Sequence, residues 1–224
     1  MDKIINIAID GPAGAGKSSA ARLAAKKLGY LYVDTGALYR AVGVGVLRKN
    51  RSTEDREQVT VTLNEITVEL KFEDNEQKVL LNGEDVSTAI RMPEASMAAS
   101  NVSKIPAVRA FLFDLQRSIA QSSSCLMDGR DIGTVVLPEA RVKIFLTASP
   151  EIRAKRRFDE LCQKGTPVEY DALLREIKDR DYQDSHREIA PLKPAPDSVI
   201  LDSSEMTLDQ VVAKIVEIVK EAAV

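Results

Sequence analysis

The chain alternates short apolar runs with longer amphipathic or polar stretches. Ile4-Ile5-Asn6-Ile7-Ala8-Ile9 is nearly continuous in its hydrophobicity and predicts a buried strand. Residues 19–28 follow in a helical pattern that Gly29 ends. Residues 30–33 predict a second strand, breaking at Asp34-Thr35-Gly36 into a helix that runs to about Lys49. Another helix is expected over 53–64, started by Ser52 or Thr53, with acids in its first turn. The texture then changes. Ile66 to Phe72 alternates apolar and polar, as a half-buried strand does. Asp74-Asn75 supplies a turn, Lys78 to Leu81 returns, and Asn82-Gly83 signals a tight turn. An antiparallel meander over about 62–92 is the expectation.

Helical patterning resumes over 93–121, with Pro93 in a first turn and Pro106 dividing the stretch in two. Cys125-Leu126-Met127, Val142 to Thr147 and Val199-Ile200-Leu201 predict three more short strands. Pro150 opens a helix that breaks across Gln163 to Pro167, and residues 168–188 form a highly charged one. Leu208, Val211, Val212, Ile215, Ile218 and Val219 make the apolar face of a closing helix. About five near-continuous apolar strands with helices between them predict an α/β fold with a parallel sheet.

Bulk properties narrow the classes. A chain of 224 residues can bury a sizeable core. Its net charge of -3 offers no broad basic footprint for nucleic acid. No apolar run reaches membrane-spanning length. The chain opens almost directly on its first strand, so no signal peptide is expected. Cys125 and Cys162 match no metal spacing, and a reducing, cytoplasmic setting is the expectation. His186 is the single histidine, so histidine triads and multi-histidine metal sites have no material.

The chemistry concentrates first in Gly11-Pro12-Ala13-Gly14-Ala15-Gly16-Lys17-Ser18, a full match to G-x-x-x-x-G-K-[ST]. It sits between a predicted strand and a predicted helix, the context the motif needs. Glycines let successive N–H groups curl around a phosphate, and the helix N-terminus adds a favourable dipole. Lys17 would reach the β- and γ-phosphates of a nucleoside triphosphate, and the Ser18 hydroxyl would ligate Mg²⁺. The fold expected is therefore a P-loop NTPase-type parallel five-stranded sheet flanked by helices.

A phosphate loop alone leaves switch GTPase, motor ATPase and small-acceptor kinase open. A guanine-reading N-K-x-D is absent, since the Asn-x-x-Asp spacing occurs only at Asn82 and Asp85. A second cluster, Asp128-Gly129-Arg130-Asp131, ends a predicted strand, where ligands of parallel sheets bind. Separate arginines recur at Arg40, Arg109, Arg130, Arg153, Arg156, Arg157, Arg180 and Arg187. A planar guanidinium suits phosphate, so a surplus of them favours a kinase whose acceptor is itself a phosphate. Bland readings stand beside these. Thr35 reads equally as a helix cap. Ser100, Asn101, Ser103 and Arg109 read as solvated surface. Arg153, Arg156 and Arg157 share a face that is ordinarily solvated. Arg180, Asp184 and Arg187 read equally as an i,i+4 salt bridge.

The phosphate loop, Asp34-Thr-Gly-Ala-Leu-Tyr-Arg40, Asp128-Gly-Arg-Asp-Ile-Gly-Thr-Val-Val136 and the run from Arg180 to Pro191 together resemble the bacterial cytidylate kinases. The resemblance covers essentially the whole chain, and the Asp128 to Val136 run is its most specific part. It implies one nucleoside monophosphate kinase domain over 1–224. Within it, a monophosphate-binding insert spans about 36–105, including the meander, and a short lid spans about 153–168. It implies transfer of the ATP γ-phosphoryl group to CMP and dCMP. Gly11 to Ser18 with Ser19, Arg153 and Arg156 would bind ATP. Ser100, Arg109 and Asp131 would read the cytosine edge, and Arg40 and Arg130 would grip the acceptor phosphate. Thr35, Arg180 and Asp184 would hold sugar and phosphate, with Arg187 in support. Thr35 departs from the serine of some members but keeps the hydroxyl. Lys17, Arg130 and Arg157 would act on the transferring group, and Asp128 would order Mg²⁺ through water. Small-molecule substrates, no nucleic acid, no membrane and a monomer are the corresponding expectations.

Overall fold

The computed structural model describes residues 4–73 and 76–223. The Asp74-Asn75 turn lies outside the described residues. Strand β1 (Asn6–Asp10) leads through the phosphate loop into α1 (Lys17–Leu28). There follow β2 (Leu31–Asp34), α2 (Thr35–Arg48), α3 (Arg56–Leu63), β3 (Val68–Glu73), β4 (Glu76–Leu81) and β5 (Glu84–Asp85). Next come α4 (Pro93–Val102), α5 (Pro106–Ser122) and β6 (Cys125–Gly129). A single π-type turn, Ile132–Val136, precedes β7 (Val142–Thr147). The chain closes with α6 (Pro150–Gln163), α7 (Tyr170–His186), β8 (Val199–Asp202) and α8 (Leu208–Ala223).

The main sheet has the order β2-β6-β1-β7-β8. Ile9 pairs with Ile144 and Phe145 with Ile200, both in parallel register. The small sheet is antiparallel, in the order β3-β4-β5. By contacts the chain divides into two compact units, residues 1–4 with 31–125, and residues 5–30 with 126–224.

The unit containing 31–125 has its own apolar core, built from Leu38, Val42 and Val46 of α2, Val59, Val79, Leu81, Val102, Val108 and Leu112. Helices α2 and α4 approach closely because Gly43 has no side chain. A Cβ there would lie 2.6 Å from the Ala98 Cβ. In the other unit Ile7, Ile9, Met127, Ile144, Leu146, Val212 and Ile215 are fully buried. The closing helix buries Val211, Val212, Ile215, Ile218 and Val219, as its periodicity predicts, and leaves Leu208 exposed.

Two helix starts differ from expectation. Helix α3 begins at Arg56, where Asp55 accepts the N–H groups of Glu57 and Gln58. A carboxylate at that position satisfies two otherwise unpaired donors, which neither Ser52 nor Thr53 is placed to do. Helix α2 is capped by Asp34, which accepts the Ala37 N–H, so Thr35 is the first helical residue and is buried.

Candidate functional site

The phosphate loop owes its shape to glycine. Gly11 has φ +150°, and a Cβ on it would stand 1.9 Å from the Leu146 carbonyl oxygen. Gly14 and Gly16 are left-handed, at φ 76° and 86°. Gly16 is followed at once by α1, so Lys17 and Ser18 occupy its first turn. The Lys17 ammonium donates to the Pro12 carbonyl at 2.8 Å. Burial and the nearby Arg130 charge pull its pKa down to about 7, against the carboxylates of Asp128, Asp10 and Asp184. A triphosphate brought to this loop would supply the countercharge that favours the ammonium form.

The second cluster meets the loop directly. Ser18 Oγ donates to Asp128 Oδ2 at 2.8 Å. Asp128 is buried at the end of β6, which carries it there from 110 residues further along the chain. Beyond it, Arg130 Nε donates to Asp184 Oδ2 at 2.8 Å, and Arg187 Nη2 lies 3.4 Å from Asp131 Oδ1. Arg187 is further fixed by donating from Nε to the Ala190 carbonyl at 2.6 Å. Burial works against the Asp184 carboxylate, but the charges of Arg130, Arg180 and Arg187 outweigh it and hold its pKa below the usual value. The i,i+4 reading of Arg180 and Asp184 leaves out Arg130, whose guanidinium donates to the same carboxylate.

The three arginines of α6 do not form one free, phosphate-facing set. Arg153 is buried, donating to the carbonyls of Ala148 and Ala13 and bidentately to Asp181, at 2.9 and 2.5 Å. Four of its five N–H donors are thereby engaged within the protein, one of them on the Ala13 carbonyl of the phosphate loop. Arg156 donates to the Ser203 carbonyl at 2.5 Å. Ser203 is itself buried against the phosphate loop and β7, near Ala15 and Thr147. Arg157 alone is exposed, paired with Glu160 at 3.0 Å.

In the unit containing 31–125, Arg40 donates to Asp34 Oδ2 at 2.7 Å. Gly36 leaves room for this pair, since a Cβ there would sit 3.1 Å from both Arg40 Nη1 and Asp34 Oδ1. Gln77 of β4 grips the backbone of the same residue, accepting the Asp34 N–H at 2.8 Å and donating to its carbonyl at 3.2 Å. The Arg109 guanidinium lies over the Tyr39 ring, 5.9 Å from its centroid. Ser100 is half-buried and its carbonyl accepts from the Ser103 hydroxyl at 3.0 Å.

Sequence reasoning passed over Asp10 and Gln77. Asp10 ends the apolar run before Gly11, and a carboxylate closing a buried strand was its signal. Gln77 carried none, lying beside a turn in a meander. Cys125 and Cys162 are free thiols, the former buried and pushed up to about 12 by desolvation.

A phosphate loop bonded to an Asp-Gly-Arg-Asp cluster narrows the candidates, and comparison with known proteins decides among them. The cytidylate kinase family profile matches residues 7–221. The chain belongs to the cytidylate kinase family. It is 53% identical over 216 residues to the cytidylate kinase of Caldicellulosiruptor bescii, covering 96% of each chain. It is 48% identical over 221 residues to that of Lactobacillus gasseri, covering 99% of this chain and 96% of the other. An uncharacterized protein of Eubacterium ventriosum shares the fold, with a TM-score of 0.53 at 12% identity over 96% of this chain and 98% of that one. As a member of this family the chain is an ATP-dependent phosphotransferase. Among the described residues, no helix of this kinase is long and apolar enough to cross a membrane.

Proposed function

We propose that the chain transfers the γ-phosphoryl group of ATP to CMP and dCMP, giving ADP and CDP or dCDP. The observation that supports this most is the Ser18–Asp128 hydrogen bond, which joins the phosphate loop to the family's Asp-Gly-Arg-Asp run. The residues present fit Mg²⁺, because Ser18 and Asp128 offer the hard oxygen donors it takes. Ser18 would hold it with ATP, and Asp128 would order it through water. Bound there, the ion would offset charge on the β- and γ-phosphate oxygens.

The remaining roles are proposed residue by residue. The loop from Gly11 to Ser18, with Ser19, wraps the donor phosphates. Lys17 and Arg157 stabilise charge on the transferring group, the latter as part of a lid over about 153–168. Arg156 supports ATP from the base of that lid. An acceptor-binding insert spans about 36–105. Arg40 and Arg130 hold the acceptor phosphate. Thr35, Arg180 and Asp184 hold its sugar and phosphate, with Arg187 behind them. Ser100, Arg109 and Asp131 read the base. A carboxylate accepts from the exocyclic amine of cytosine, whereas uracil would set a carbonyl against it. The acceptor is already an oxyanion, so no strong general base is needed. Catalysis is then positioning and charge stabilisation, without a covalent intermediate.

Arg130→Ala tests the reading. Turnover of CMP (kcat/KM) should fall about 10²–10³-fold while the chain still folds, and unchanged kcat/KM would contradict the assignment.

A further inference from the structure

Asp10 is a buried carboxylate with no place in the roles above. It is the last residue of β1, directly before Gly11. Its Oδ1 accepts the N–H of Ile132 at 2.8 Å, and its Oδ2 that of Gly133 at 2.7 Å. Both amides open the π-type turn that follows Asp131. Two charge-assisted bonds to successive amides make a stiff clamp. The clamp holds a group that burial disfavours. Desolvation pushes its pKa up to about 6, against the pull of the two N–H bonds, with the Asp131 charge adding to the rise and Lys17 opposing it.

Gly133 completes the arrangement. Its φ is not in the left-handed region, so the backbone does not call for glycine there. Space does, since a Cβ would stand 3.2 Å from Lys143 Cδ and 3.4 Å from Asp10 Oδ2. The close approach is therefore to the Lys143 methylenes, with the Asp10 carboxylate in ordinary contact beside them.

We propose that Asp10 is a positioning residue for the acceptor, tying the end of the phosphate-loop strand to the turn after Asp131 and so fixing where Arg130 and Asp131 stand relative to Lys17. The inference rests on the reading of Asp131 as the cytosine reader. Both Asp10 oxygens are spent on backbone, so its influence travels through residues 132 and 133.

Steady-state kinetics on the full chain test this, with wild type, Asp10→Asn, Gly133→Ala and the double variant. ATP is the donor, and CMP or UMP the acceptor. Asn keeps the size but sets an N–H against an amide N–H. In each single variant KM for CMP should rise about tenfold or more, since small misplacement of reading groups is costly. KM for ATP should move less than about twofold, and the preference for CMP over UMP in kcat/KM should fall about tenfold. The double variant should lose less than the sum of the single ones, because both substitutions act on the same turn at 132 and 133. Equal rises in both KM values, an unchanged preference or additive losses would overturn the proposal. If Asp10→Asn does not fold, Asp10→Glu, which keeps the charge but shifts its reach to the two amides, decides on the same KM split. A wild type without preference for CMP would fail the reading of Asp131 and take the inference with it.

Discussion

The two units hold their candidate residues in different ways. In the unit containing 126–224, Asp10, Lys17, Asp128, Asp131 and Arg153 are each at most 5% exposed, and most of their bonds join elements far apart in sequence. In the unit containing 31–125, Arg40 and Asp34 are about a quarter exposed and lie six residues apart. Their pairing is local, resting on one helix start and on Gln77. Beneath it lies a core that is almost wholly apolar. The first arrangement is a buried polar network, in which each loss leaves another group unsatisfied. The second is a set of separable surface groups on an oily scaffold. Damage in the network should therefore spread to both function and stability, and damage in the other unit should separate the two.

The largest effect should come from Lys17→Ala. Removing the cation beside the donor phosphates should lower kcat with CMP by about 10²–10³-fold, measured by coupled ADP release. An activity near wild type would break the account of the phosphate loop. Asp181→Asn comes next. It strips the charged partner from a buried guanidinium, and breaking such a pair costs about 3 kcal/mol. Asp181 is itself a quarter exposed, so Arg153→Met, which leaves the exposed partner behind, should cost less. Urea titrations of both variants measure the order, and the reverse order would show that the pair is not what holds Arg153 in place.

Gly43→Ala probes the apolar unit. Its new Cβ would press on Ala98 and cost about 1–3 kcal/mol by overpacking. KM for ATP should stay within about twofold, since stability and donor binding separate there. A matched loss of both would erase the contrast between the units. The smallest effect is expected of Arg48→Ala, which breaks an exposed pair with Glu84. Thermal unfolding should not shift measurably, because exposed pairs contribute little.

What was legible in the sequence follows the same division. Short-range signals told the truth: Gly29 ends α1, Pro106 divides the helices, and the alternation of 66–72 yields a strand of the small sheet. The phosphate loop was legible because its chemistry is written in consecutive residues. Burial was not. Three arginines on one helical face look alike in sequence, yet Arg153 is buried by Asp181 and Ala13, Arg156 leans on Ser203, and Arg157 faces solvent. Those partners lie up to 140 residues away, beyond any periodicity. Asp10 escaped notice for the same reason, because its partners at 132 and 133 are brought to it by the fold. Asp34, not Thr35, caps α2, a choice between adjacent residues that composition does not decide.

Coupled ADP release with Mg·ATP should be measured across a panel of acceptors: CMP, dCMP, UMP, AMP, GMP and none. Turnover with CMP and dCMP should stand well above that with UMP, and almost none should be seen with the purine monophosphates or without acceptor. Equal turnover of UMP would contradict the assignment of Ser100, Arg109 and Asp131 to the cytosine edge. ADP release that does not depend on any acceptor would contradict phosphoryl transfer to a nucleotide altogether.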